Sequence, residues 1–153
     1  MIKKFPSYIL IFLLFFGCGY QPMYSNQEQP KIKIKEILFS GENKINQKII
    51  TFSNLKKNSS ENTALVLSLE TKKTNDITSK DNSGNPLTYQ MNLSTSLSLT
   101  SNDKLLETKN FMSSFSYSNK DNKFDLREYQ ENLEKDLIRS ISEKINMYLI
   151  LRK

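Results

Sequence analysis

Between Leu87 and Leu99 the chain alternates with a period of two. Leu87, Tyr89, Met91, Leu93, Leu97 and Leu99 hold the odd positions, with Thr95 the only interruption, and Thr88, Gln90, Asn92, Ser94, Ser96 and Ser98 fill the even ones. On a helix these apolar groups would scatter around the whole circumference, whereas a strand turns successive side chains to opposite faces. The stretch therefore reads as a long strand, greasy on one side, and as the spine of a sheet. Burying its apolar side chains would contribute on the order of 10 kcal/mol, before chain entropy is set against it. The second face carries only Ser, Thr, Asn and Gln. Such a surface sheds water against another protein at lower cost than a charged one.

The flanking segments arrange themselves around this spine. Lys31 to Phe39 opens with Ile32 and Ile34 against Lys31, Lys33 and Lys35. That predicts a first strand, whose Ile37-Leu38-Phe39 end should enter the core. Ser40 is a candidate helix N-cap. Ile45, Ile49 and Phe52 at i, i+4 and i+7 then predict an amphipathic helix from about Glu42 to Lys57, its stripe serving core packing. Leu65, Leu67 and Leu69 predict a second strand. Thr71 to Pro86 is polar, includes Asp81-Asn82-Ser83-Gly84-Asn85-Pro86, and reads as a long turn or loop. Ser101-Asn102-Asp103 predicts a hairpin turn, and Lys104 to Tyr117 an antiparallel return with Leu105, Phe111, Phe115 and Tyr117 on one side.

Asp125 and Glu128 have capping-box spacing. Leu126, Tyr129, Leu133, Leu137, Ile141, Ile145 and Tyr148 follow at steps of three and four, predicting a long helix that runs nearly to the C-terminus. The element order is βαβββα. The expected fold is an α+β two-layer sandwich: a four-stranded, mostly antiparallel sheet with two helices on one face and the other face open.

Ahead of this domain, Lys3 and Lys4 precede an apolar run from Tyr8 to Phe16, followed by Gly17 and Cys18. A helix of roughly nine residues falls well short of a hydrocarbon core ~30 Å thick. A basic start, a short greasy run and a small exit residue describe a secretory signal, expected over residues 1–17. Gly17-Cys18 is the arrangement of a lipobox, although Phe15 and Phe16 stand where its best form has Leu and a small residue. Cys18 is the expected lipidation site, since an exported chain with one unpaired cysteine otherwise carries a free thiol. Two or three acyl chains hold where one would not. Residues 18–30, with Pro22 and Pro30, read as a tether, and residues 31–153 as the folded domain. Gly19 leaves the position after the cysteine without an acidic residue, which favours the outer membrane, periplasmic face.

The formal charge is +6, or +4 once Lys3 and Lys4 leave with the signal. That mild excess suits an anionic lipid or glycolipid phosphate, and no compact basic run points to nucleic acid. Histidine is absent, which removes the commonest general base and the commonest metal ligand. No Gly-rich phosphate loop, G-x-S-x-G elbow or cysteine cluster replaces it. The expectation is a non-enzyme with no catalytic residue, metal or cofactor.

The start Gly17-Cys18-Gly19-Tyr20-Gln21-Pro22-Met23-Tyr24, the element order, the strand Leu65 to Leu69, the segment Leu87 to Leu99 and the final helix together resemble one family. It is the LPS-assembly lipoprotein LptE, in its alphaproteobacterial form, and the resemblance covers essentially the whole mature chain. It implies a lipoprotein seated inside the outer-membrane β-barrel LptD, plugging it, helping it assemble, and assisting lipopolysaccharide insertion. It also implies lipopolysaccharide contacts through basic residues near one end of the sandwich. Lys72, Lys73, Lys120 and Lys123 are the basic positions in the corresponding loops. The alternative is a generic envelope lipoprotein, such as an auxiliary subunit of a lipid-transport ABC system. A lipid-anchored hydrolase built on carboxylates is a third reading, disfavoured by the missing histidine.

Overall fold

The computed structural model describes residues 32–58 and 65–152, so Cys18, the signal and the tether lie outside the described residues. The elements are β1 (Ile34–Gly41), α1 (Asn43–Phe52), β2 (Leu65–Lys80), β3 (Pro86–Ser101), β4 (Lys104–Ser118) and α2 (Lys123–Leu151). The strands lie in the order β1-β2-β3-β4. β1 runs parallel to β2, as a crossover through α1 requires, and β2, β3 and β4 form an antiparallel meander. Helix α1 packs on β1 and β2, α2 packs on β3 and β4, and the helices pack on each other. This is the expected α+β sandwich.

The alternation in β3 sets the two layers apart. Met91, Leu93, Thr95, Leu97 and Leu99 are buried under the helices, and only Leu87, at the strand's start, is half-exposed. Thr95 interrupts the stripe for a reason: its hydroxyl is 2.8 Å from that of Thr71 on β2, so two buried polar groups satisfy each other. From α2, Leu126, Leu133, Leu137, Ile141 and Ile145 close the core, with Ile138 and Leu149 filling the spaces between.

Several boundaries differ from the sequence expectation. The polar stretch after Thr71 is not a loop: β2 continues to Lys80. Its register with β3 runs without a break from Val66↔Thr100 to Ile77↔Tyr89. The adjacent spine supplies its hydrogen-bond partners, and Thr71, Thr74, Ile77 and Thr78 are β-branched. The turn shrinks to Asp81–Asn85, where Asp81 Oδ1 accepts from the Ser83 and Asn85 amides at 2.9 and 2.8 Å.

Helix α1 stops at Phe52 rather than Lys57. Asn54, at φ +51°, turns the chain so that Leu55 is buried and Lys57 bridges Ile34. Ser40 stays within β1 and is not the N-cap; Glu42 holds that position without a side-chain bond. Buried Asn46 instead ties the helix down, donating from Nδ2 to Ser40 O at 2.7 Å.

A bulge between Ile34 and Glu36 shifts the inward face of β1 by one residue. Ile34 is buried, Ile37 and Phe39 pack on the core, and Leu38 turns to the open face instead of entering it. An irregularity beside Thr100 does the same to Leu105, which sits opposite Thr100 and is exposed. On β4 only Phe111 and Tyr117 are buried, while Phe115 is half-exposed at the sheet edge. The hairpin expected at Ser101-Asn102-Asp103 forms as a two-residue turn, Ser101 closing β3 and Asn102 and Asp103 lying at φ +47° and +59°. Helix α2 begins at Lys123, where Asn122 Oδ1 accepts from the Phe124 amide at 2.9 Å. The cap is therefore Asn122, not Asp125 with Glu128.

Candidate functional site

The four lysines singled out in the sequence do not form one cluster. Lys72 and Lys73 lie within β2, not in a loop, and as neighbours on a strand they face opposite sides. Lys72 is exposed on the open face, opposite Ser94. Lys73 turns toward the helices and places Nζ 2.6 Å from Glu134 Oε2. Lys120 and Lys123 do come together, Lys120 in the link from β4 to α2 and Lys123 as the first residue of α2 rather than in a loop. Lys123 Nζ donates to Lys120 O at 3.4 Å, and Lys120 Nζ lies 4.6 Å from the Tyr129 ring centroid. Asn119 fastens this link to the start of β3, donating its amide to Leu87 O at 2.7 Å and Nδ2 to Pro86 O at 2.9 Å.

Lys120 and Lys123 thus mark the end of the sandwich that carries the Asp81–Asn85 turn. Ile34, where the described chain enters the sheet, pairs with Leu65 at the opposite end of β2. A 16-residue strand is about 50 Å long at ~3.3 Å per residue, so Lys120 and Lys123 sit at the pole opposite the one where the described chain enters the sheet.

Beside Lys48, midway along α1, α2 and the sheet strands β2 and β3 open into a cleft of about 510 Å³. Glu134, from α2, bridges Lys73 and Lys48, the latter 3.1 Å away on α1. Burial pushes the Glu134 carboxyl up, but hydrogen bonds from the two ammonium groups outweigh it and hold the pKa below its usual value. Arg127 and Glu131 line the same cleft, giving three cations against two carboxylates. Its rear is a relay of polar groups: Gln130 Nε2 donates to Tyr117 Oη at 2.7 Å, and that hydroxyl donates to Asn75 Oδ1 at 2.8 Å. Tyr89 stacks on Tyr117 at 5.5 Å, which holds the phenol in place. The arrangement can receive a carboxylate or phosphate and offer amides to neighbouring hydroxyls.

The sequence singles out none of Glu134, Lys48, Arg127 and Asn75 as a site residue. Arg127, Glu131 and Glu134 do recur at helical spacing beside the core stripe. That signal becomes meaningful only once Thr71 to Lys80 is recognised as a strand facing it.

The open face of the sheet is hydroxyl-rich. Ser98 bonds Thr108 at 2.9 Å, Thr88 bonds Thr78 at 2.7 Å and Ser79 at 2.6 Å, and Asn92 donates to Asp76 at 3.0 Å. β3 contributes no charge to it, as its even positions foretold; Glu70, Lys72 and Asp76 come from β2.

No family model and no curated protein matches this sequence. Solved structures do match the fold. Rare lipoprotein B from Shewanella oneidensis superposes with a TM-score of 0.59 at 14% identity, over 74% of this chain and 92% of that one. A minor lipoprotein from Acinetobacter baumannii gives 0.57 at 14% identity, over 78% and 92%. Lipoprotein B from Nitrosomonas europaea gives 0.59 at 9% identity, over 82% and 86%. The likeness is one of fold.

Proposed function

We propose that the chain is a lipid-anchored envelope lipoprotein that plugs an LptD-like outer-membrane β-barrel, helps it assemble, and assists delivery of lipopolysaccharide to the cell surface. One observation carries this reading: a βαβββα sandwich matched over 92% of a rare lipoprotein B stands behind a Gly17-Cys18 lipobox. An acyl chain on Cys18 confines the domain beside its partner and raises the effective concentration of the pair. The tether enters at the Ile34 pole, so Lys120 and Lys123 are carried to the pole remote from the anchor, where they meet lipid phosphates. The uncharged face of β3 sheds its water against the barrel wall. No step needs bond chemistry, which agrees with a chain lacking histidine.

The test is purification of a tagged full chain from envelopes in mild detergent. Recovery with a large outer-membrane barrel supports the proposal. Recovery alone overturns it, and recovery with inner-membrane ABC components favours a transporter subunit instead. Mass spectrometry of the mature N-terminus checks the anchor, which requires an acylated Cys18 as the first residue.

A further inference from the structure

Among the described residues, half of β2 is an unguarded sheet edge. The parallel ladder with β1 ends at Gly41↔Thr71, yet β2 runs on to Lys80. Thr71 O still faces the β1 side, where it accepts from the Glu42 amide at 2.9 Å. Backbone direction alternates along a strand, so Lys73, Asn75 and Ile77 also turn their N–H and C=O groups to that side. Among the described residues no strand pairs with them there. Unpaired edges of this kind take up extended segments, the backbone supplying affinity and side-chain pockets supplying selectivity.

The Glu134 cleft opens at the same edge. A strand added beside Lys72 to Lys80 would send alternate side chains over that cleft and meet Lys48, Lys73 and Arg127. Lys48 and Lys73 share the single charge of Glu134, while Arg127 and the outward-facing Lys72 are balanced by Glu131 and Asp76, so one positive charge is left over beside the edge and Lys80 adds a second at its far end. Ile77, an inward-facing residue half-exposed on this edge, provides an apolar contact. A second copy would bring the same lysines and repel. The chain's own residues 19–31 hold a single acidic residue, Glu28, between Pro22 and Pro30.

We propose that the β2 edge from Lys72 to Lys80, with the cleft beneath it, docks an extended acidic segment of a partner polypeptide as an added strand. This stands apart from the barrel reading and does not depend on it.

The test uses the full chain in detergent and a capped nonapeptide alternating glutamate and valine, with two controls. One control replaces glutamate by lysine, and the other is N-methylated at alternate residues to block strand pairing. Hydrogen exchange at the Lys73, Asn75 and Ile77 amides should slow at least tenfold with the acidic peptide. The lysine peptide should bind at least tenfold more weakly, and the methylated one should leave exchange unchanged. Unaltered exchange at millimolar acidic peptide overturns the proposal. So does a response of Lys48 and Arg127 without amide protection, which would mean ion binding alone. Protection already present without peptide overturns it too: the chain's own segment occupies the edge if that protection is independent of concentration, and a second copy does if it grows with concentration.

Discussion

Gly41 decides where β1 stops and therefore where the free edge of β2 begins. It sits at φ +72°, and a Cβ built on it would lie 2.2 Å from the Thr71 carbonyl oxygen. That oxygen is main chain in the middle of the sheet, so it cannot swing aside. Gly84 provides the control, because its φ is +86° but nothing lies within 4 Å of its Cβ position. Both alanine variants carry the left-handed backbone penalty of about 1–2 kcal/mol. Only Gly41→Ala must also push β1 from β2 and break the Glu42 amide bond to Thr71 O, worth about 1 kcal/mol, along with packing around Asn46. Gly41→Ala should therefore be less stable than Gly84→Ala by about 2 kcal/mol, or roughly 4–8 °C in Tm for a chain of this size. Urea titration of both variants in a Cys18→Ser background measures the difference. Equal destabilisation of the two would refute the argument that close approach to Thr71, rather than backbone conformation, makes glycine necessary at 41.

Three further outcomes follow from particular contacts. Thr95→Val should cost about 1–3 kcal/mol by stranding the Thr71 hydroxyl, while Thr71→Val with Thr95→Val should recover most of that loss; a double-mutant cycle in urea reads the coupling. The depressed pKa of Glu134 means its contribution to stability is complete above the ordinary value of 4.5 and is lost as pH falls through the lower folded value. Acid titration of stability should therefore be shallower in Glu134→Gln than in the parent, and identical slopes would count against the pair. Burial, with Glu107 close by, pushes the Tyr148 phenol up to about 12, so the folded state holds a proton that the unfolded state releases near 10. Stability should fall as pH rises from 10 to 12, and ultraviolet titration should show the last tyrosinate component vanish in Tyr148→Phe.

The elements that the sequence alone determines are those whose burial pattern is periodic. Leu87 to Leu99 can bury its odd side chains only as a strand, the stripe from Leu126 to Ile145 can do so only as a helix, and Asn102-Asp103 tolerates the left-handed backbone that a tight hairpin demands. With the shorter periodic stretches of β1, α1 and the start of β2, they give the α+β sandwich. Tertiary structure decides what periodicity does not encode. Thr71 to Lys80 is too polar to declare itself and becomes a strand because β3 offers it a register of partners. Leu38 and Leu105 leave the core because irregularities in pairing flip their faces, and a single inserted residue leaves no trace in hydropathy. Lys73 and Glu134 stand 61 residues apart in the chain and meet only when α2 lies down on the sheet. The cleft and the open edge beside it exist for the same reason: side-chain patterning selects which faces are hidden, but the ends at which strands and helices run out are fixed by how they pack.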